Sequence, residues 1–276
     1  MYWILSKKTL PDGLTRLEVQ APEWISAFQP GHHLLAKISP QSPGIPCVIW
    51  GVQPERRSLF LILSDQHVDQ LSLSGLAVGD VLHSLTGPYG EPISLSVPGT
   101  VICAAGANSI LPMLPVVEAL KKSGNRVLTV LGARSRDYFV LENEFRAHSD
   151  EVLFLTDDGS SGQKGLVCEG VQAMIRREKV DHVIAIGALN MIRHSAQLTR
   201  RFDLPLTAIL YAPYVDATGI SGIYRISLCD RSKYICVDGP ELNAYYPDFD
   251  ILKERLCERL SDDFAGNQNY RKTPVF

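Results

Sequence analysis

The alternation of apolar and polar positions divides the chain into two parts near residue 98. Before that point, short runs rich in β-branched and aromatic residues are separated by turn signals such as Pro11-Asp12-Gly13 and Gly87-Pro88-Tyr89-Gly90. This pattern predicts short β-strands, because Pro and Gly at turn positions interrupt the strands on either side. The predicted strands span residues 2–6, 15–20, 34–38, 48–52, 59–63 and 81–85. Together they favour a small antiparallel β-barrel.

After residue 98, nearly continuous apolar runs alternate with segments that have a helical period. The strand candidates are residues 101–104, 126–131, 152–156, 182–186 and 206–210, and the helix candidates are residues 110–122, 139–147, 167–177 and 191–201. Apolar strands that alternate with helices are typical of a doubly wound parallel sheet covered on both faces. We therefore predict an antiparallel β-barrel at 1–97 and an α/β domain with such a sheet at 98–210. A short loop-rich appendage at 211–256 and a tail at 257–276 follow.

The composition of the chain indicates which classes of protein it can belong to. The 276 residues suffice for about two domains, and 45% hydrophobic content is ordinary for a globular chain. A net charge of -3 gives no electrostatic reason to expect nucleic acid. No apolar run approaches the roughly 18 residues of a membrane span, and the first residues do not form a signal peptide. The six cysteines are scattered without C-x-x-C spacing, which favours reduced thiols and a cytoplasmic location.

Four segments carry more specific patterns than the general alternation. They are Gly132-Ala-Arg-Ser-Arg-Asp137, Thr156-Asp-Asp-Gly-Ser-Ser-Gly-Gln-Lys-Gly165, Asp216-Ala-Thr-Gly-Ile-Ser-Gly-Ile-Tyr-Arg225 and Cys236-Val-Asp-Gly-Pro240. With a barrel, a sheet and a cysteine-bearing loop in this order, the chain resembles the ferredoxin–NADP reductase superfamily over residues 1–256. Within that superfamily it is most similar to electron-transfer subunits of the dihydroorotate dehydrogenase type and to the small subunit of NADH-dependent ferredoxin:NADP oxidoreductase. The resemblance implies FAD on the barrel, NAD(P)H on the sheet and a [2Fe–2S] cluster in the appendage.

The flavin motif of the family is incomplete in this chain. The resemblance places the pattern Arg-x-Pro-Leu/Phe-Ser/Thr at Gly44-Ile-Pro46-Cys47-Val48, which keeps the proline but lacks the arginine and the hydroxyl. The stretch expected to approach the pyrophosphate contains Asp65, although phosphate sites use N–H donors and cations. Each lost charge-assisted contact costs about 1.5–3 kcal/mol. These changes predict weak flavin binding, unless the register near Asp65 differs by a few residues.

The nicotinamide motif is also altered. The glycine-rich loop of the family corresponds to Ala104-Ala-Gly-Ala-Asn-Ser-Ile-Leu-Pro112, where only Gly106 is kept and new side chains occupy space for a dinucleotide. Arg134 and Arg136 are suited to a 2′-phosphate, or else belong to a solvated loop. Asp157-Asp158-Gly159 favours a structural turn over a metal pair. If FAD or NAD(P) is retained, the residues that we expect to bind it are Pro46, Gly106, Asn108, Arg134 and Asp158.

The cluster motif has lost two of its ligands. A [2Fe–2S] cluster needs four closely placed soft ligands. The resemblance places the two proximal cysteines of the family at positions where this chain has Ser221 and Tyr224, so that Asp216 and Cys236 alone remain. We therefore predict no [2Fe–2S] cluster and no metal. Because three motifs are altered together, we also expect no bound cofactor, with retained FAD and NAD(P) as the alternative.

An emptied flavin cleft between the barrel and the sheet would be a pocket at a domain interface, where ligands commonly bind. The residues that we expect to line it and to act in catalysis are His33, Asp65, His67, Cys47 and Tyr89. His33 or His67 with Asp65 is a candidate acid/base pair. The alternative is that each histidine is a hydrogen-bonded residue of the barrel.

Three functions remain open at this point. The first is a redox-inactive member of the fold that is reused as a cofactor-independent cyclase or isomerase, or as a ligand-binding protein, with an apolar small molecule in the cleft. The second is a FAD-dependent NAD(P)H oxidoreductase without the cluster. The third is a non-catalytic subunit that docks on a partner oxidoreductase. A homodimer is a further expectation for its assembly, and neither nucleic acid nor a membrane is expected as a partner.

Overall fold

The computed structural model describes residues 1–42, 44–64, 73–95, 99–106 and 109–209, together with three short strands at 225–228, 231–234 and 241–243. Seven antiparallel strands form the first sheet, in the order β6-β1-β2-β5-β4-β3-β7. They are β1 (Tyr2–Leu10), β2 (Leu14–Gln20), β3 (His33–Lys37), β4 (Ile45–Gln53), β5 (Ser58–Ser64), β6 (Val81–Leu82) and β7 (Ser84–Tyr89). Because β6 and β7 are consecutive in the chain but pair with opposite edges of the sheet, the sheet curls into a nearly closed barrel.

The strands of the barrel have an inner and an outer face, as the period of two requires. On β4, the side chains of Ile45, Cys47 and Ile49 lie in the barrel core. The intervening Val48 and Trp50 pack outward, into a second core that they share with the α/β domain. The strand is therefore apolar on both faces, because the second domain covers the outer one.

The second sheet has the order β11-β10-β9-β8-β12-β13-β16. Its strands are β8 (Thr100–Gly106), β9 (Arg126–Ala133), β10 (Glu151–Thr156), β11 (Gln163–Lys164), β12 (His182–Ile186), β13 (Leu206–Ile209) and β16 (Glu241–Asn243). All neighbours are parallel except β16, which pairs antiparallel with β13. A separate hairpin consists of β14 (Arg225–Leu228) and β15 (Arg231–Tyr234). Residues that we assigned to the appendage thus contribute one strand to the main sheet.

Four helices cover the two faces of this sheet. They are α1 (Ile110–Lys122), α2 (Glu142–His148), α3 (Val167–Arg177) and α4 (Leu189–Arg201). One apolar layer contains residues of α3 and α4, and the other contains residues of α1 and α2. The α1 layer also takes in Val48, Trp50 and Ile62 of the barrel. The two domains therefore share one continuous apolar core.

The predicted fold class is confirmed: an antiparallel barrel precedes a parallel sheet with helices on both faces. The bounds of α1, α3 and β12 are those predicted. The predicted strand 81–85 is two strands, because the His83 N–H donates to the Lys37 carbonyl and so transfers the chain from β1 to β3. None of the helices that the structure describes has the length and apolar character needed to span a lipid bilayer.

Candidate functional site

The outer face of the barrel brings together two of the predicted catalytic residues. His33 on β3 is the cross-strand partner of Tyr89 on β7, and their ring centroids are 5.9 Å apart. On its other side His33 pairs with Val48 of β4. Cross-strand partners share a face of the sheet, so an imidazole, a phenol and an apolar side chain form one row. His33 is buried in this row, with 7% of its surface exposed.

Pro46, the retained residue of the flavin motif, lies on the same outer face. It is two residues before Val48 on β4 and pairs with Leu35 of β3. The face thus presents a mostly apolar and aromatic surface. Sequence reasoning missed Val48 as a member of this surface, although its strand parity with Pro46 was a usable signal.

Cys47 lies on the opposite face, inside the barrel core. Its side chain is 0% exposed, and its thiol donates a hydrogen bond to the Leu34 carbonyl at 3.3 Å. Burial raises the pKa of the Cys47 thiol well above its usual range. The expectation that Cys47 lines the cleft is therefore not met, because the period of two along β4 turns this side chain inward.

The remaining predicted catalytic residues, Asp65 and His67, lie outside the described residues, so the acid/base pair with His33 stays a prediction. His32, next to His33, accepts a hydrogen bond on Nδ1 from the Gln29 N–H at 3.2 Å, and burial lowers the pKa of this histidine. In the described part of the chain, no group of three or more His, Cys, Asp or Glu side chains is placed to hold a metal ion.

A second candidate binding site lies at the carboxyl ends of the parallel strands. The strand order reverses between β8 and β12, whose last residues are Gly106 and Ile186. Helices α1, α3 and α4 all begin at this edge. In open α/β sheets, ligands bind in the crevice outside the carboxyl ends of the strands at such a switch point. Gly106 therefore lies where the sequence motif predicted it; Asn108 lies outside the described residues.

Arg134 and Asp158 lie close together at this edge, after β9 and β10. The Asp158 N–H donates to the Arg134 carbonyl at 3.3 Å, and the Arg134 guanidinium lies 5.0 Å from the centroid of the Tyr138 ring. Ser160 joins the two loops, because its hydroxyl accepts from the Arg136 N–H at 2.8 Å and its N–H donates to the Asp158 carboxylate at 2.8 Å. The hydrogen bonds from Ser160 lower the pKa of Asp158. The carboxylate of Asp158 thus holds a turn at the rim of the crevice.

The two site regions lie on either side of a tightly packed interface. A cleft between the β1–β2 turn, α1 and the segment that follows Tyr138 has a free volume of about 20 Å³ and an apolar lining. Such a volume holds about one water molecule. Ligand binding is therefore expected at the outer barrel face and at the sheet edge rather than in this cleft.

Comparison with known proteins finds relatives that are named as electron transfer subunits and oxidoreductases. No protein-family model matches the chain. It is 30% identical over 270 residues to a dihydroorotate dehydrogenase B (NAD(+)) electron transfer subunit homolog of Thermotoga maritima, covering 98% of this chain and 95% of that protein. A probable electron transfer subunit of the same enzyme from Methanopyrus kandleri is 30% identical over 165 residues, 60% of this chain and 61% of that protein.

One solved structure has a sequence identity to this chain that is similar to that of these relatives. A chain from the structure of the NADH-dependent reduced ferredoxin–NADP oxidoreductase, a protein studied for flavin-based electron bifurcation, superposes with a TM-score of 0.83. It is 28% identical in sequence, and the match covers 97% of this chain and 98% of that chain. The similarity therefore extends over both sheets.

These comparisons correct our first functional hypothesis. The expectation of a redox-inactive scaffold, reused as a cofactor-independent cyclase, isomerase or ligand-binding protein, is wrong, because the two relatives that match nearly the full length are an electron transfer subunit homolog and a chain of an NADH-dependent oxidoreductase. The physical reason is that phosphate binding also uses backbone N–H groups, which our prediction did not weigh against the substituted side chains. Backbone N–H groups at strand ends and helix starts, which bind phosphates, do not depend on residue type.

Proposed function

The chain belongs to the family of dihydroorotate dehydrogenase B electron transfer subunits and their homologues, and from this premise we propose that it passes electrons from NAD(P)H through FAD to a partner oxidoreductase subunit. The observation that carries the proposal is the match to one such homolog over 98% of the chain, which includes the barrel, the sheet and the appendage. A protein that kept only the fold would have no need to keep all three parts.

We infer that a flavin ring binds against the outer face of the barrel. Pro46 and Tyr89 are partly exposed on this face and offer an apolar and aromatic surface to a flavin, beside the buried His33 and Val48. Position 44 supplies no cation, so anchoring of the pyrophosphate falls to other groups. A bound flavin would supply the ability to accept two electrons from a nicotinamide and to pass them on singly.

We infer that the dinucleotide binds at the carboxyl edge of the parallel sheet. Helix α1 begins immediately beyond β8 at the switch point, and the side chain of its N-cap residue, Ser109, makes no capping hydrogen bond. The N–H groups of the first turn are therefore not capped by this hydroxyl and are suited to phosphate oxygens, which helix N-termini favour. Arg134 and Tyr138 at the end of β9 would border the adenosine half, as the second strand of such sheets does.

We further propose that no [2Fe–2S] cluster is present, because Ser221 and Tyr224 replace two of the four thiolates that the family uses. These positions lie outside the described residues, so the argument is one of ligand chemistry alone. Electrons would then leave the flavin directly for the partner subunit. The free thiols of Cys47, Cys103 and Cys168 support a reducing, cytoplasmic location.

The experiment is purification of the full chain with measurement of its visible spectrum, FAD content, iron and sulfide. We expect a yellow protein, or an apoprotein that takes up FAD stoichiometrically, that contains no iron and reduces a dye with NADH or NADPH. A colourless protein that neither takes up FAD nor oxidises either nucleotide would contradict the proposal.

The second candidate is a self-sufficient FAD-dependent NAD(P)H oxidoreductase, which uses the same two regions. Co-purification separates the two. An electron transfer subunit is expected to elute with a larger oxidoreductase chain when it is expressed in its native cells, whereas a self-sufficient enzyme elutes alone and keeps full turnover with a small acceptor.

A further inference from the structure

Three glycines lie side by side on one face of the parallel sheet, at its carboxyl edge. Gly106 of β8 is the direct cross-strand partner of Gly132 of β9. Gly187 follows Ile186, whose partner on β8 is Ala105, so Gly187 is level with Gly106. None of the three has a positive φ. The backbone conformation therefore allows other residues, and the reason for glycine must be space.

Two side chains occupy the space that the glycines leave. A Cβ atom at Gly132 would overlap Cγ2 of Val167, and one at Gly106 would lie 3.0 Å from the Met191 sulfur. A Cβ atom at Gly187 would lie 2.6 Å from both Sδ and Cε of Met191. Val167 is the first residue of α3 and Met191 the third of α4, so side chains from two helix starts support three neighbouring strand ends.

Met191 occupies the central position in this arrangement. Its Sδ atom lies 3.0 Å from the position that a Cβ would take at Gly106 and 2.6 Å from that at Gly187, at the ends of the two strands that flank the switch point. Its carbonyl accepts a hydrogen bond from the Cys168 thiol at 3.7 Å, which joins the first turns of α3 and α4. The residue is only partly buried, although it packs against the core of the α3 and α4 layer. A single side chain thus packs beside both backbone segments that border the crevice, where the pairing of β8 with β12 ends.

We propose that Met191 is a positioning residue for the dinucleotide: its thioether packs beside Gly106 and Gly187, just beyond the last paired residues Ala105 and Ile186, and keeps this backbone where it can approach the bound nucleotide. The proposal rests on the proposed function, which places NAD(P)H at this edge. A contact that supports the backbone at this edge therefore influences nucleotide affinity without touching the nucleotide.

The test measures binding of NAD⁺ and of NADP⁺, which cannot reduce a bound oxidised flavin, to the full chain by titration calorimetry, together with the kinetics of dye reduction by NADH and NADPH. Met191→Ala is expected to raise the Kd and the KM of the nucleotide by about tenfold while kcat at saturation changes by less than about twofold. Met191→Leu nearly conserves the volume and is expected to restore the wild-type Kd to within about twofold.

The matched control is Met174→Ala. Met174 is 1% exposed, lies on α3 in the same apolar layer and contacts none of the three glycines. Its truncation is expected to lower the melting temperature without a change in Kd. Equal increases in Kd for Met174→Ala and Met191→Ala would mean general loosening of the domain and would overturn the proposal.

A double variant tests the mechanism. Gly187→Ala is expected to weaken binding by pushing the thioether aside, and Gly187→Ala combined with Met191→Ala is expected to bind no more weakly than Met191→Ala alone, because both act through one contact. Effects that multiply would contradict this. If the wild-type chain binds neither nucleotide, the proposed function fails and this inference with it; if the wild type binds and Met191→Ala binds equally well, only the inference fails.

Discussion

At the scale of single residues, Gly132 and Gly106 are opposite one another but face side chains of different stiffness. Gly132 faces Val167, a β-branched residue with one strongly preferred rotamer in a helix. Gly106 faces the far end of Met191, which has three rotatable bonds and fills irregular space. The same added methyl group therefore meets a rigid obstacle at one position and a movable one at the other.

We predict that Gly132→Ala lowers the free energy of unfolding by about 1–3 kcal/mol, and that Gly106→Ala lowers it by less, because the thioether can move. Urea unfolding of the two variants measures the difference. Gly51→Ala is the control, since its Cβ would lie 3.5 Å from Phe60 in ordinary contact and no loss is expected. Equal losses at Gly132 and Gly106 would show that the stiffness of the facing side chain does not matter.

At the scale of elements, an ion pair connects helix α1 to the sheet at the edge opposite the crevice. Asp150, just before β10, accepts hydrogen bonds from Lys121 of α1 at 2.7 Å and from the Val127 N–H of β9 at 2.8 Å. These hydrogen bonds, the one from Lys121 first, lower the pKa of the Asp150 carboxyl below its usual value of 3.8. One carboxylate thus joins three elements.

The pH dependence of this contribution has a definite sign. Because the folded pKa of Asp150 is lowered, its stabilisation is present above pH 3.8 and is lost as the pH falls through the folded value. We predict that Asp150→Asn lowers the free energy of unfolding by about 1 kcal/mol at pH 7, and that the difference from wild type disappears in acid. Urea unfolding at a series of pH values measures it, with the exposed Asp137→Asn as the control. A difference that persists unchanged in acid would rule out the carboxylate charge as its source.

At the scale of the whole molecule, the barrel and the α/β domain share one apolar core. Leu111 of α1 is 3% exposed and belongs to the cluster that contains Val48 and Trp50 of the barrel. Such a shared core couples the unfolding of the two domains, because neither can open without exposing the apolar surface of the other. This coupling also holds the barrel face and the sheet edge in a constant relation, as the proposed electron transfer would require.

We predict that Leu111→Ala lowers the free energy of unfolding of both domains together, by about 2–5 kcal/mol. The chain suits this measurement, because its 3 tryptophans, Trp3, Trp24 and Trp50, all lie in the barrel, whereas α1 to α4 lie in the second domain. Tryptophan fluorescence and helical circular dichroism should therefore report coincident transitions that shift equally. Leu166→Ala, at a residue that is 58% exposed, is the control. A barrel transition that stays in place in Leu111→Ala would show that the domains unfold independently.

Much of the fold could be predicted from the sequence, whereas the function was first inferred wrongly. Three elements, α1, α3 and β12, have their predicted bounds, and the barrel and sheet follow in the predicted order. The functional prediction was wrong because substituted residues in the cofactor motifs were interpreted as loss of cofactor binding. Single residues such as Gly44 or Ala105 bear on individual contacts, whereas the similarity over the whole chain bears on the family to which it belongs.

The sequence by itself determined most of the main strands and helices, their order from barrel to sheet, and the family, because periodicity, turn chemistry and motifs are local properties of the chain. Only the tertiary structure decided that His33 meets Tyr89, which is distant in sequence, that Cys47 faces inward, and that Met191 supports Gly106 and Gly187. The physical reason is that contacts between distant residues depend on strand order, register and helix placement. These follow from the packing of the whole core, and no short segment of the chain contains them.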